Sequence, residues 1–130
     1  VSAIDTVLAE ARADLDRVSP SADLLDSPDT LIVDIRPAHN READGEIPGS
    51  VVIERIVLEW RLDPAGDHRI PGFDENTRVV VMCNEGYSSS LAARDLRALG
   101  LHRATDLIGG FRGWRSAGLP TRPGASTPVT

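Results

Sequence analysis

"VVVMCNEGYSSSLAARDL", residues 79–96, carries the only cysteine of the 130-residue chain. An unbroken apolar run reads as a strand covered on both faces of a parallel sheet. It ends on Cys83, passes through a short polar loop in which Gly86 can take a positive φ, and becomes helical over 89–99. In such a strand-loop-helix turn, successive N–H groups and the positive end of the helix dipole converge on the loop centre, where an anion is favoured. A thiol held there has a lowered pKa and is nucleophilic at neutral pH. The hydroxyls of Ser88, Ser89 and Ser90 can cap the helix or donate into the cradle. Cysteine is also among the most buried residue types, so the local pattern leaves two readings open: an inert core thiol or a reactive thiolate.

The rest of the chain predicts one α/β domain with a central parallel sheet flanked by helices on both faces. Ile4, Val7, Leu8, Ala11, Leu15 and Val18 recur at helical spacing and predict an amphipathic helix over 3–16, within a lead-in of residues 1–19. A short helix begins near Ser21. "TLIVDI" (30–35), "GEIPGSVVIE" (45–54), "RVVVM" (78–82) and "RATDLIG" (103–109) supply the strands. The domain proper spans 20–121, and "RPGASTPVT" (122–130) reads as a flexible tail with little to bury. Ligands of such sheets bind beyond the carboxyl ends of the strands, which is where Cys83 lies.

Composition narrows the function. Apolar residues make up 41% and charged residues 26%, ordinary values for a globular domain. A net charge of −6, with no basic run, argues against nucleic acid as the ligand. The longest apolar run is far short of a membrane span, so no membrane role is expected, and a lone thiol fits the reducing cytoplasm. His39, His68 and His102 lack the clustering of a metal site. Neither a metal nor another cofactor is expected.

Four segments together resemble the rhodanese-like sulfurtransferase family: "LIVDIR" (31–36), "GEIPGSVVIE" (45–54), "VVVMCNEGYSSSLAARDLRALGL" (79–101) and "DLIGGFRGWRSAGLP" (106–120). The resemblance implies that Cys83 takes a sulfane sulfur from a small-molecule donor, thiosulfate or a persulfide, and holds it as a persulfide. It then passes the sulfur to a thiol or cyanide acceptor. It maps the persulfide cradle onto Asn84, Glu85, Gly86, Tyr87, Ser88 and Ser89, and the family's aspartate-x-arginine onto Asp34 and Arg36. Arg36 is a candidate substrate-binding residue, with a structural ion pair to Asp34 as the rival reading. Arg94 reads as a surface charge, and Arg112 as a cation that could face the pocket.

Related folds that handle phosphate or arsenate use C-x-x-x-x-x-R, with an arginine clamping the oxyanion; here that position is Ser89. Glu46 stands where the family has histidine, a scaffold position. Glu85 is the loop's one charge, and an acidic rim favours a persulfide donor over dianionic thiosulfate. Residues 57–77, where the family has a helix, read as a Pro- and Gly-rich loop with Trp60 packed beneath it, and Trp114 as a core anchor. The alternative function is a persulfide carrier acting with a thiol-protein partner and turning over little alone.

Overall fold

The computed structural model describes all of residues 1–130. Four parallel strands, β1 (Thr30–Asp34), β2 (Val51–Val52), β3 (Arg78–Met82) and β4 (Thr105–Asp106), form a sheet in the order β2-β1-β3-β4. The centre is β1 against β3, in register from Thr30 opposite Arg78 to Asp34 opposite Met82. Six helices accompany it: α1 (Ala3–Arg12), α2 (Asp23–Asp26), α3 (Ala38–Asp44), α4 (Leu58–Leu62), α5 (Ser88–Arg97) and α6 (Gly110–Ser116).

The period-two alternation of the strands divides the core between the two faces. Val33, Val79, Val81 and Cys83 pack with Leu58 and Leu62 of α4 and with Ala92, Ala93 and Leu96 of α5. Ile32, Val80 and Met82 pack on the other face with Leu24 of α2 and with Phe111 and Trp114 of α6. Both faces are therefore apolar, which is why the strands read as continuous hydrophobic runs. Trp114 is the expected anchor, fully buried with its indole N–H donating to the Pro120 carbonyl.

Several elements differ from the sequence reading. Helix α1 stops at Arg12 rather than 16, because the following chain is drawn into extended pairing: the Val18 N–H donates to Asp106 O and its carbonyl accepts from Ile108 N–H, beside β4. The 45–54 strand shrinks to Val51–Val52 after the Pro48–Gly49 turn. Helix α3 lies in a stretch that carried no predicted element. Within 57–77 a single helical turn, α4, is held by the buried pair Leu58 and Leu62, while Trp60 is 61% exposed instead of packed. The C-terminal residues, expected to be flexible, line the opposite sheet edge. Val129 N–H donates to Val52 O, Glu54 N–H donates to Val129 O, and Arg122 and Ser126 bond to Glu46. Both edges of the sheet thus satisfy their backbone groups with the chain's own ends.

Glu46 is fully buried among Arg41 (2.9 Å), Arg122 (3.2 Å) and the Ser126 hydroxyl (2.6 Å). Burial pushes its carboxyl up, but the hydrogen bonds from Ser126, Arg41 and Arg122 outweigh that and hold it below the ordinary range. Glu46 ties the tail to α3, on the scaffold side of the molecule.

Candidate active site

Cys83 follows the last residue of β3, and the loop 84–87 carries the chain into α5. Cys83 is 7% exposed, and its Sγ accepts from the Gly86 N–H at 3.2 Å. Above it lies a cleft of about 290 Å³, walled by Asn84, Glu85, Tyr87 and Ser88 of the loop and by Ile35, Arg36 and Pro37 beyond β1. Gly86 and Ser89 form no part of that wall; they hydrogen-bond the sulfur instead.

The loop's curvature follows from where its carbonyls go. The Cys83 and Asn84 carbonyls accept from Phe111 N–H (2.9 Å) and Arg112 N–H (3.1 Å) of α6, and the Tyr87 carbonyl accepts from Ser90 N–H (3.1 Å). The Gly86 carbonyl accepts from Arg12 (2.7 Å) and Arg17 (3.1 Å). In a planar trans peptide the following N–H points opposite to the carbonyl. Four outward carbonyls therefore turn the N–H groups of Asn84, Glu85, Tyr87 and Ser88 back into the loop. None of these four has an acceptor within the chain, while the N–H groups of Gly86 and Ser89 serve the sulfur. Loop N–H groups turned inward with no protein acceptor, beside a sulfur that already accepts from Gly86 N–H, are an arrangement suited to an anion.

Two glycines make this packing feasible. Gly86 has φ +86°, and a Cβ there would come within 2.8 Å of Gly109 N; a Cβ on Gly110 would lie 2.4 Å from the Cys83 carbonyl oxygen. The double glycine of "IGGF" lets α6 approach the loop closely enough to take its carbonyls.

Burial pushes the Cys83 thiol pKa up. The hydroxyl and N–H of Ser89, the Gly86 N–H and the Ser88 hydroxyl together outweigh that and bring it below the ordinary cysteine value. Ser89 has one hydroxyl hydrogen, and its oxygen also lies 2.7 Å from Asp106 Oδ2, so thiolate and carboxylate compete for the same proton.

At Arg36 the structure shows the ion pair with Asp34 given above as the rival reading, in a residue that also lines the cleft. Two residues past β1 it points to the sheet face opposite Cys83, where it bonds Asp34 bidentately (2.8 and 3.1 Å), donates to Gly45 O (2.7 Å) and stacks on the Phe111 ring at 4.0 Å. It also walls the cleft, and its Nη1 has no hydrogen-bond partner. Arg112 pairs with Glu85 at 3.1 Å, both exposed, so the acidic rim is compensated on the surface. Arg94 is a surface charge beside Asp95.

Three residues escaped the sequence reading: Arg12, Arg17 and Asp106. Asp106 is fully buried and receives Arg17 bidentately (2.8 and 3.2 Å) together with the hydroxyls of Ser89 and Ser90 (each 2.7 Å). An ionisable residue inside the apolar "RATDLIG" strand was the available signal.

The sequence matches the family model of the rhodanese-like domain over residues 20–117. A sulfurtransferase of Allochromatium vinosum is 32% identical over 107 residues, covering 82% of this chain and 92% of the relative. The adenylyltransferase and sulfurtransferase MOCS3-2 of Zea mays is 36% identical over 84 residues, 65% of this chain, and the matched part is only 17% of that relative's length. A structure from Rhodopseudomonas palustris, described as a possible tyrosine phosphatase, superposes with a TM-score of 0.83 at 33% identity, covering 94% of this chain and 96% of that one. Because the family match runs from the turn before α2 to the end of α6 and takes in the whole sheet and the Cys83 loop, the chain belongs to the rhodanese-like domain family.

Proposed function

We propose that the protein is a sulfurtransferase whose Cys83 thiolate carries sulfane sulfur as a persulfide. The observation that supports this best is the Gly86 N–H donating to Sγ at 3.2 Å within a loop whose other N–H groups are turned inward by their outward carbonyls. These donors suit a thiolate in the resting state and a terminal persulfide anion in the loaded state. In the first step Cys83 attacks the outer sulfur of the donor. A Cys83–sulfur bond forms as the donor's sulfur–sulfur bond breaks, and the donor leaves as a thiolate, or as sulfite from thiosulfate. An acceptor thiolate or cyanide then attacks the outer sulfur and regenerates the Cys83 thiolate, with no external oxidant or reductant and no general base.

The cations nearest the cleft are both paired with carboxylates, Arg36 with Asp34 and Arg112 with Glu85. A persulfide with an organic leaving group therefore fits better than dianionic thiosulfate. Phosphatase chemistry is disfavoured for the same reason. Ser89 occupies the place of the oxyanion-clamping arginine, and it is buried against Asp106.

A second reading, delivery of the persulfide to a protein partner, draws on the exposed Ile56 (78%). Ile56 lines a neighbouring cleft that shares Ile35, Arg36 and Pro37 with the one over Cys83.

Mass spectrometry after incubation with thiosulfate or glutathione persulfide tests the proposal. The intact protein should gain one sulfur atom, more readily from the persulfide, and Cys83→Ser should gain none. Equal modification of both proteins overturns it. Fast multiple turnover on small molecules excludes the carrier reading, whereas loading that turns over only with a partner protein selects it.

A further inference from the structure

Of the four carbonyl anchors that shape the Cys83 loop, three come from α5 and α6, inside the family-matched span of 20–117. The fourth does not. The Gly86 carbonyl is held by Arg12, the last residue of α1, and by Arg17, in the segment that pairs with β4.

We propose that Arg12 and Arg17 are positioning residues for Cys83: by holding the Gly86 carbonyl outward they turn the Tyr87 N–H into the sulfur cradle, making the N-terminal segment part of the reactive loop's machinery.

Both arginines are braced for this task. Arg12 Nε donates to the Ser90 hydroxyl at 3.0 Å, its Nη2 reaches Gly86 O at 2.7 Å, and its guanidinium lies 5.8 Å from the centre of the Tyr87 ring. Arg17 is fixed by the buried Asp106 carboxylate, which also receives the hydroxyls of Ser89 and Ser90. One connected network therefore determines where the Gly86–Tyr87 peptide points and which way the Ser89 hydroxyl can turn. The guanidinium planes matter as well as the charge. Arg17 engages a carboxylate and a carbonyl at once, which the single ammonium of lysine cannot reproduce with the same fork geometry.

This inference rests on Cys83 being the reactive group, and its test reads the thiolate without requiring sulfur transfer. The rate of iodoacetamide alkylation against pH is to be measured for the full chain, Arg12→Gln, Arg17→Gln and Arg17→Lys, and for Arg103→Gln as a surface control paired with Asp29 away from the loop. Melting temperatures accompany each variant. Arg12→Gln leaves the Arg17–Asp106 pair intact, so it remains readable should Arg17→Gln fold poorly.

The expected result is an alkylation rate at pH 7 lowered about threefold to tenfold in Arg12→Gln and Arg17→Gln, with the profile displaced to higher pH. Arg17→Lys should fall between these and the parent, and Arg103→Gln should match the parent. A lowered melting temperature with an unchanged pH profile in both Gln variants would show a purely structural role and overturn the proposal. An ordinary, unactivated thiol in the parent overturns the positioning role and the proposed function together. A reactive parent with unmoved variants overturns the positioning role alone.

Discussion

The Gly86 amide stands 3.2 Å from the Cys83 sulfur, while the same residue's carbonyl faces Arg12 at 2.7 Å on the other side of the loop. Gly86 is thus the residue at which the loop's inner and outer hydrogen bonds separate, and its φ of +86° is what permits both. The consequences for loop geometry, thiol ionisation and scaffold stability can each be measured separately.

Replacing Gly86 with alanine forces an L-residue into a left-handed conformation and brings its Cβ to 2.8 Å from Gly109 N, a backbone atom that cannot swing aside. Gly86→Ala should cost roughly 2 kcal/mol of stability and suppress Cys83 alkylation. A variant as reactive as the parent would show that the Gly86 conformation does not matter to the cradle. Thermal melts and alkylation rates check the two effects.

Because the folded protein holds the Cys83 thiol below its unfolded value of roughly 8.5, the alkylation profile should have its midpoint below that of a free thiol. The linkage has a defined sign. The stabilisation is fully present above the unfolded pKa and is lost as pH falls through the folded one. Ser89→Ala removes a hydroxyl that lowers the thiol pKa, so its midpoint should move up; a midpoint unchanged from the parent would mean that the hydroxyl serves Asp106 alone.

Glu46 gives a separate acid signature. Its carboxylate, depressed by Ser126, Arg41 and Arg122 against the cost of burial, contributes stability above its unfolded pKa of roughly 4.3, and this is lost as pH falls through the lower folded value. Glu46→Gln should destabilise by about 3 kcal/mol near neutrality, and the gap to the parent should narrow on acidification. Alkylation of Cys83 should be unaffected, since Glu46 belongs to the tail-anchoring side. Denaturant melts at several pH values measure the gap.

The local sequence determined the parts of this protein whose physics is local. The apolar runs at 30–35 and 78–82 specify buried parallel strands because both faces are covered, and the strand, Cys83, Gly86 and helix specify a backbone cradle because only that curl joins them. The 20–117 family match takes in the first three motifs whole and the fourth up to residue 117. Tertiary structure alone decided what surrounds them. Arg36 sits one sheet face away from the sulfur because of the period-two pleat. The tail is ordered because the β2 edge needs hydrogen-bond partners, and Arg12 and Arg17 reach Gly86 from more than 65 positions away in the chain. Long side chains closing contacts over such separations leave no periodicity to read. The thiol was visible in the sequence; the hydrogen bonds that aim its cradle appeared only when the fold brought α1, β4 and α6 around one loop.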